Sequence, residues 1–168
     1  ETAPRSEEAI EARLLLTDLI ADRVSVHEAA TQLQAAYESG GLPSRHRAKV
    51  AKRLGDFARA EGAYDEAIQW YDVAAEILPV LRGETAYWIA SCYEEAGEFD
   101  EAIPRYEMIE PAPWRVRGRL AAAKLLERQG RVKAAEVIYE LLARESIPEA
   151  HMVQERLAAL RAEHSVKE

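Results

Sequence analysis

The residues best suited by type to chemistry are two adjacent carboxylate pairs, Glu94 with Glu95 and Asp100 with Glu101, together with four histidines and one cysteine. Paired carboxylates do acid–base work when they converge on one substrate. Neighbours on a helix diverge by about 100°, so these pairs read as solvated surface and helix-start charges. His27, His46, His151 and His164 have no Cys, Asp or His at ligand spacing, which argues against a metal site. Cys92 has no second cysteine to resolve an oxidised form and reads as a small buried hydrophobe. With neither a Gly-rich phosphate loop nor a Gly-x-Ser-x-Gly elbow, no catalytic residue and no cofactor is expected.

The sharpest local signal is charge. From Ser44 to Ala60 six cations (Arg45, Arg47, Lys49, Lys52, Arg53, Arg59) stand against Asp56, a local +5 in a chain whose formal net charge is −8. On the wall of a groove such a run would attract an acidic segment or a carboxy terminus. The alternative is that the basic helix merely faces the acidic stretch after it, where Glu61, Asp65, Glu66, Asp72 and Glu76 have no cation among them. Both readings stand at this level.

The elements that carry these residues announce themselves by repetition. Gly62-Ala-Tyr64-Asp-Glu-Ala67-Ile-Gln-Trp-Tyr71 returns as Gly97-Glu-Phe99-Asp-Glu-Ala102-Ile-Pro-Arg-Tyr106 and as Gly130-Arg-Val132-Lys-Ala-Ala135-Glu-Val-Ile-Tyr139. The intervals are 35 and 33 residues, a period that marks stacked helical units. Gly suits a tight reversal between paired helices. Ala67, Ala102 and Ala135 suit the closest helix approach, with Tyr64 or Phe99 filling the flank.

These residues resemble the tetratricopeptide repeat family. Leu54-Gly55, Gly62, Tyr64, Ala67, Tyr71, Ala74 and Pro79 sit at that family's offsets, and the match covers roughly 48–147, with weaker cover of 10–43. The resemblance implies an all-α, right-handed α–α superhelix of about four helix-turn-helix repeats and a C-terminal capping helix. It has departures: Ile109 for a small residue, Trp114 for a proline, Arg119 for a bulky apolar residue and Leu142 for Ala.

On that frame the whole chain is one domain. A degenerate repeat spans 6–43, repeats follow at 44–80, 81–113 and 114–146, and 147–165 is a capping helix. Ile10, Leu14 and Ile20 share a stripe on the first helix, and Ser25-Val-His-Glu28 is a capping box for the second. Ala29 precedes Ala67 by 38 residues, so about four extra connecting residues fall near Gly40 to Ser44. Pro104 lies early in a trailing helix, and Pro111-Ala-Pro113 ends it. Ser146-Ile-Pro-Glu149 reads as a second capping box, opening a helix in which Met152, Leu157 and Leu160 share a face.

In this family the leading helices line a concave groove that takes a partner's peptide. By position that groove would present Glu11, Leu14, Asp18 and Asp22, then Lys49, Lys52, Arg53, Asp56 and Arg59. Further along it would present Glu84, Tyr87, Trp88, Ser91, Glu94 and Glu95, then Arg117, Leu120, Lys124 and Arg128, with Tyr87 and Trp88 as aromatic anchors. Members that clamp chaperone tails pair Asn with Lys or Arg, and this chain has no Asn. The resemblance implies a non-catalytic scaffold or adaptor. The runner-up is self-assembly into homo-oligomers through the front helices or the Trp114 region, ahead of a helical enzyme of unrecognised type.

Composition sets the outer bounds. A net charge of −8 argues against general nucleic-acid binding, and no apolar run approaches the roughly 20 residues of a membrane span. The Ala- and Arg-rich, Asn-free usage fits a GC-rich bacterial genome. The chain opens at Glu1, with its methionines at Met108 and Met152, and so reads as a processed product or an excised domain. Localisation stays open between cytoplasm and periplasm.

Overall fold

The glycines that open the three copies lie in the left-handed region: Gly62, Gly97 and Gly130 have φ of 77°, 83° and 73°. Each turn is closed by the same pair of hydrogen bonds. Gly62 N donates to Arg59 O at 3.0 Å and Ala63 N to Ala58 O at 2.9 Å; Gly97 N donates to Glu94 O at 3.0 Å and Glu98 N to Tyr93 O at 2.8 Å; Gly130 N donates to Glu127 O and Arg131 N to Leu126 O, both at 2.9 Å. Two carbonyls at each helix end are thereby satisfied, and a side chain at the glycine would be opposed by about 1–2 kcal/mol of backbone strain.

A computed structural model describes residues 7–23, 25–110 and 112–165; Pro111 and the side chains of Asp22 and His164 lie outside the described residues. Nine α-helices are described: α1 Glu7–Arg23, α2 Val26–Glu38, α3 Ser44–Ala60, α4 Tyr64–Ile77, α5 Arg82–Glu95, α6 Phe99–Glu107, α7 Trp114–Arg128, α8 Val132–Ala143 and α9 Ala150–Ser165. A 3-10 turn, Pro79–Leu81, leads from α4 into α5. Successive helices pack on one another from α1 to α9. The result is an all-α right-handed superhelix in which α1, α3, α5 and α7 lead their pairs, α2, α4, α6 and α8 trail, and α9 stands where a further leading helix would begin.

Ala67, Ala102 and Ala135 are each 0% exposed, as the close crossing requires. Where two backbones approach most closely, even a methyl group is too large. A Cβ on Gly55 would lie 2.8 Å from the Tyr71 ring and 3.2 Å from the Ala67 carbonyl oxygen, and one on Gly118 would lie 2.4 Å from the Tyr106 carbonyl oxygen. The core runs along the stack in three patches. Leu33, Val50, Leu54 and Phe57 form the front one with half-buried Leu14 and Ile20; Ala58, Ala67, Tyr71 and Cys92 form the middle one; the third extends from Ala90 to Leu160.

The helix ends test the local signals. Ser25 does cap α2, its hydroxyl accepting from Glu28 N at 3.0 Å. Ser146 does not open α9, which starts at Ala150 after a turn in which Ala150 N donates to Ile147 O at 3.1 Å. Pro148 explains the delay, because a residue before proline is driven out of the α region. The buried stripe of α9 is Val153, Leu157 and Leu160, at helical i, i+4, i+7 spacing, and Met152 stands off it at 45% exposure. The departures of the later units are absorbed: Ile109 and Leu142 are buried, and Arg119 reaches Glu145 at 3.0 Å.

Ala67→Leu should overpack the α3–α4 crossing and destabilise the protein by about 1–3 kcal/mol. A thermal melt unchanged from the parent protein would show that Ala67 does not sit at the close approach.

Candidate functional site

The tyrosine that ends each copy has its ring buried between paired helices and its hydroxyl directed at a carboxylate of the leading helix. Tyr71 donates to Asp56 Oδ1 at 3.0 Å, Tyr106 to Glu94 Oε2 at 3.0 Å and Tyr139 to Glu127 Oε1 at 2.6 Å. In the second and third units the same carboxylate also receives a cation from the next leading helix: Arg128 reaches Glu94 at 2.6 Å, and Arg156 of α9 pairs with Glu127. Burial and the neighbouring carboxylate push all three phenols above their ordinary range. Burial would raise the Glu127 carboxyl too, but the hydrogen bonds from Arg156 and Tyr139 outweigh it and leave it below its ordinary 4.5.

Further ion pairs extend this line across the leading helices. Lys49 meets Glu11 at 3.1 Å and Arg53 meets Asp18 at 2.7 Å, tying α3 to α1. Lys52 meets Glu84 at 3.1 Å and Arg59 meets Glu95 at 2.5 Å, tying α3 to α5. Within α3, Asp56 receives Lys52 at 3.1 Å and Arg53 at 3.5 Å. Lys49, Lys52, Arg53 and Arg59 therefore pair along the groove wall, and not with the acidic stretch of α4 as the alternative reading of the charge run held. Among the described residues Asp65, Glu66, Asp72 and Glu76 have no ion pair. The reason is geometric, since α3 and α4 meet through their apolar faces and their charged faces point apart.

The aromatic pair of α5 is half-buried in a cluster. The Tyr87 ring lies 5.2 Å from Trp88, 5.3 Å from Tyr106 and 5.5 Å from Trp114. Trp88 is covered by the Arg59 guanidinium at 4.5 Å, and Ser91 donates to Glu95 at 2.9 Å. Cys92 sits beneath this cluster, fully buried, its thiol pushed up to about 12 by burial. At physiological pH it is a protonated packing group.

The face changes at α7. Arg117 lies over the Trp114 ring at 4.7 Å, and Lys124 is exposed; neither is in an ion pair among the described residues, and Lys124 acts on Glu127 only through space. By sequence α3 carries +5 between α1 at −3 and α5 at −2, whereas α7 carries +4 between α5 and a neutral α9. Of the α3 cations, Lys49, Lys52, Arg53 and Arg59 are answered by α1 or α5. Of the α7 cations, Arg115 and Arg119 share Glu145 and Arg128 meets Glu94, which leaves Arg117 and Lys124 in no ion pair among the described residues. Where α5 and α7 touch directly, α7 and α9 leave a cleft of about 340 Å3 lined by Leu120, Lys124 and Arg128 on one side and Met152 and Arg156 on the other, with Tyr139 and Glu127 also in its wall.

Of the groove residues expected from sequence, Leu120, Lys124 and Arg128 come together in this cleft. Lys49, Lys52, Arg53, Asp56, Arg59, Glu94, Trp88 and Ser91 are held in the ladder or the aromatic cluster. Sequence reasoning missed Glu127, Met152 and Arg156. Glu127 had a signal, standing 33 residues after Glu94 as Gly130 does after Gly97.

The comparisons with known proteins agree with this architecture. A family model described as tetratricopeptide repeat matches residues 25–80. Among solved structures, TPR-like repeats from Podosopora anserina are 18% identical with a TM-score of 0.67, the match covering 96% of this chain and 90% of that one. A tetratricopeptide repeat protein from Parabacteroides merdae is 20% identical with a TM-score of 0.66, over 94% of this chain and 62% of that one. MamA is 20% identical with a TM-score of 0.61, over 89% and 81%. A search of the curated proteins returns no match. Residues 25–80 thus match the tetratricopeptide repeat model, and the rest of the described chain continues that fold. The matched stretch takes in α2, part of the degenerate copy, and stops before the units that carry the departures.

Glu127→Gln should separate charge from packing at the α7–α9 junction. A carboxyl held below its ordinary value contributes stability above about pH 4.5 and loses it as pH falls through the lower folded value. The variant should therefore melt below the parent protein near about pH 6, and the gap should narrow as pH falls below 4.5. A gap of constant size across that range would make the role of Glu127 one of packing alone.

Proposed function

We propose that the protein is a non-catalytic scaffold that holds a segment of a protein partner on the face formed by its leading helices, with the contact centred on α7. The observation that carries this is the exposure of Arg117 and Lys124 on α7, outside every ion pair among the described residues and beside the cleft that α7 and α9 leave. Lys49, Lys52, Arg53 and Arg59 of α3 are answered by α1 and α5, and Arg115, Arg119 and Arg128 of α7 by Glu145 and Glu94. Arg117 lies exposed over the Trp114 ring, and Lys124 is exposed outside any ion pair among the described residues. An acidic segment is the complementary partner. Lys49, Lys52, Arg53, Asp56 and Arg59 then shape the groove, and Tyr87, Trp88, Ser91 and Glu94 form its wall. The fold supports this reading, since tetratricopeptide repeats are a protein-interaction architecture.

The test is partner capture at two ionic strengths with the parent chain and with the double variant Arg117→Glu, Lys124→Glu. Both residues are exposed, so the variant should fold, with a melt lowered only by the lost Arg117–Trp114 contact, about 0.5–1 kcal/mol, and by the loss of Lys124 beside Glu127. Capture should weaken about tenfold in the variant and fall with salt in the parent. Capture that is indifferent to both would move the contact off α7.

A second reading is favoured by one observation. Leu15 and Leu16, adjacent on α1, are 70% and 54% exposed, and an apolar patch at one end of a solenoid invites a second copy. Light scattering over a concentration series should then show growing mass that Leu15→Glu abolishes. A monomer at all concentrations would remove self-assembly.

A further inference from the structure

We propose that the cleft between α7 and α9 is an anchoring pocket for one aliphatic side chain flanked by carboxylates in the bound segment. This rests on the groove reading above and gives the segment its chemistry. It also gives α9 a second duty, as one wall of the site as well as a packing partner of α8.

Size sets the first limit. About 340 Å3 is at the low end of small-ligand sites, about 300–1,000 Å3. A helix about 10–12 Å across with its side chains cannot enter, whereas one side chain and its immediate backbone can. The surface inside is apolar from both walls: Leu120 on α7 and Met152 on α9. Met152 belongs to no core patch and stays 45% exposed although it borders the buried stripe of α9. An unbranched thioether in that place can adapt to whichever aliphatic group arrives.

Charge sets the second limit. Lys124, Arg128 and Arg156 border the cleft against one acid, Glu127, a local +2. Glu127 is held by Tyr139 and Arg156, so its charge is answered within the wall. Arg128 is held by Glu94, and Lys124 is in no ion pair among the described residues, its charge acting on Glu127 only through space. A segment entering the apolar centre would bring its flanking side chains against Lys124 and the outer faces of Arg128 and Arg156. Acidic flanks are attracted there, and basic flanks are repelled.

The test is methyl-detected NMR of the full chain titrated with the peptide Ac-Glu-Leu-Glu-NH2. Ac-Gln-Leu-Gln-NH2 and Ac-Glu-Ser-Glu-NH2 serve as controls, each taken to about 10 mM, above the millimolar range of a single anchor. Saturable shifts of the Leu120 and Met152 methyl groups are expected with the first peptide. Binding should be about three- to fivefold weaker with either control and in Lys124→Gln, the size that exposed charge pairs allow. Equal affinity for all three peptides, or no saturable shift with any, would overturn the proposal. Shifts confined to α3 and α5 would overturn it too, while leaving the groove reading standing. Loss of α7-dependent partner capture with the peptide still seated in the cleft would sink the groove reading and not the pocket.

Discussion

The stack depends on one junction: a buried tyrosine ring whose hydroxyl holds a carboxylate on the leading helix, which in turn holds a cation of the next unit. Each part creates the need for the following one. The aromatic ring fills the space beside the Ala crossing, and its hydroxyl, carried inward, must find an acceptor. The acceptors Asp56, Glu94 and Glu127 are largely covered, with side chains 19%, 24% and 14% exposed. A carboxylate so placed loses water and must be compensated, and charge-assisted bonds of about 1.5–3 kcal/mol do that. In the second and third units the compensating Arg comes from the next leading helix, so the junction that completes one unit also fixes its neighbour. Stability in such an array lies largely in these nearest-neighbour contacts.

That dependence explains which features could be read from sequence. The turn glycines, the Ala crossings and the buried Tyr serve contacts inside one unit, between residues at fixed short offsets, and every copy writes them again. The partners of the charges could not be read so directly. Blocks of +5 and −5 side by side in sequence suggest local neutralisation, yet α3 and α4 share an apolar face and turn their charges apart. The true partners lie about one repeat away: Lys49 with Glu11, Arg53 with Asp18, Arg59 with Glu95, Arg128 with Glu94. Side-by-side packing of leading helices converts the repeat period into contact distance. The boundary of α9 was misread for a different reason, since a Ser-x-x-Glu signature cannot act through a proline that holds the intervening residue extended.

Alternation of charge has a consequence for specificity. Leading helices of −3, +5, −2 and +4 set opposite signs side by side, and sliding one unit past its neighbour sets like against like. Repeat units with near-identical apolar faces are otherwise free to stack out of register, and a charge pattern that penalises the wrong neighbour corrects this at little cost to the right one.

The same alternation decides where the groove is left open. In the interior of a ladder each cation has two flanking helices to answer it, so its field at a distance is small, and an incoming anion must compete with a carboxylate already in place. Beyond α7 the face passes to α9, which is neutral as a whole and gives its Arg156 to Glu127. Among the described residues it brings no carboxylate into an ion pair with Lys124, so that cation stays exposed beside the cleft where α7 and α9 part. One helix, α9, thus both packs on α8 and forms the second wall of a cleft with a cationic rim and an apolar lining.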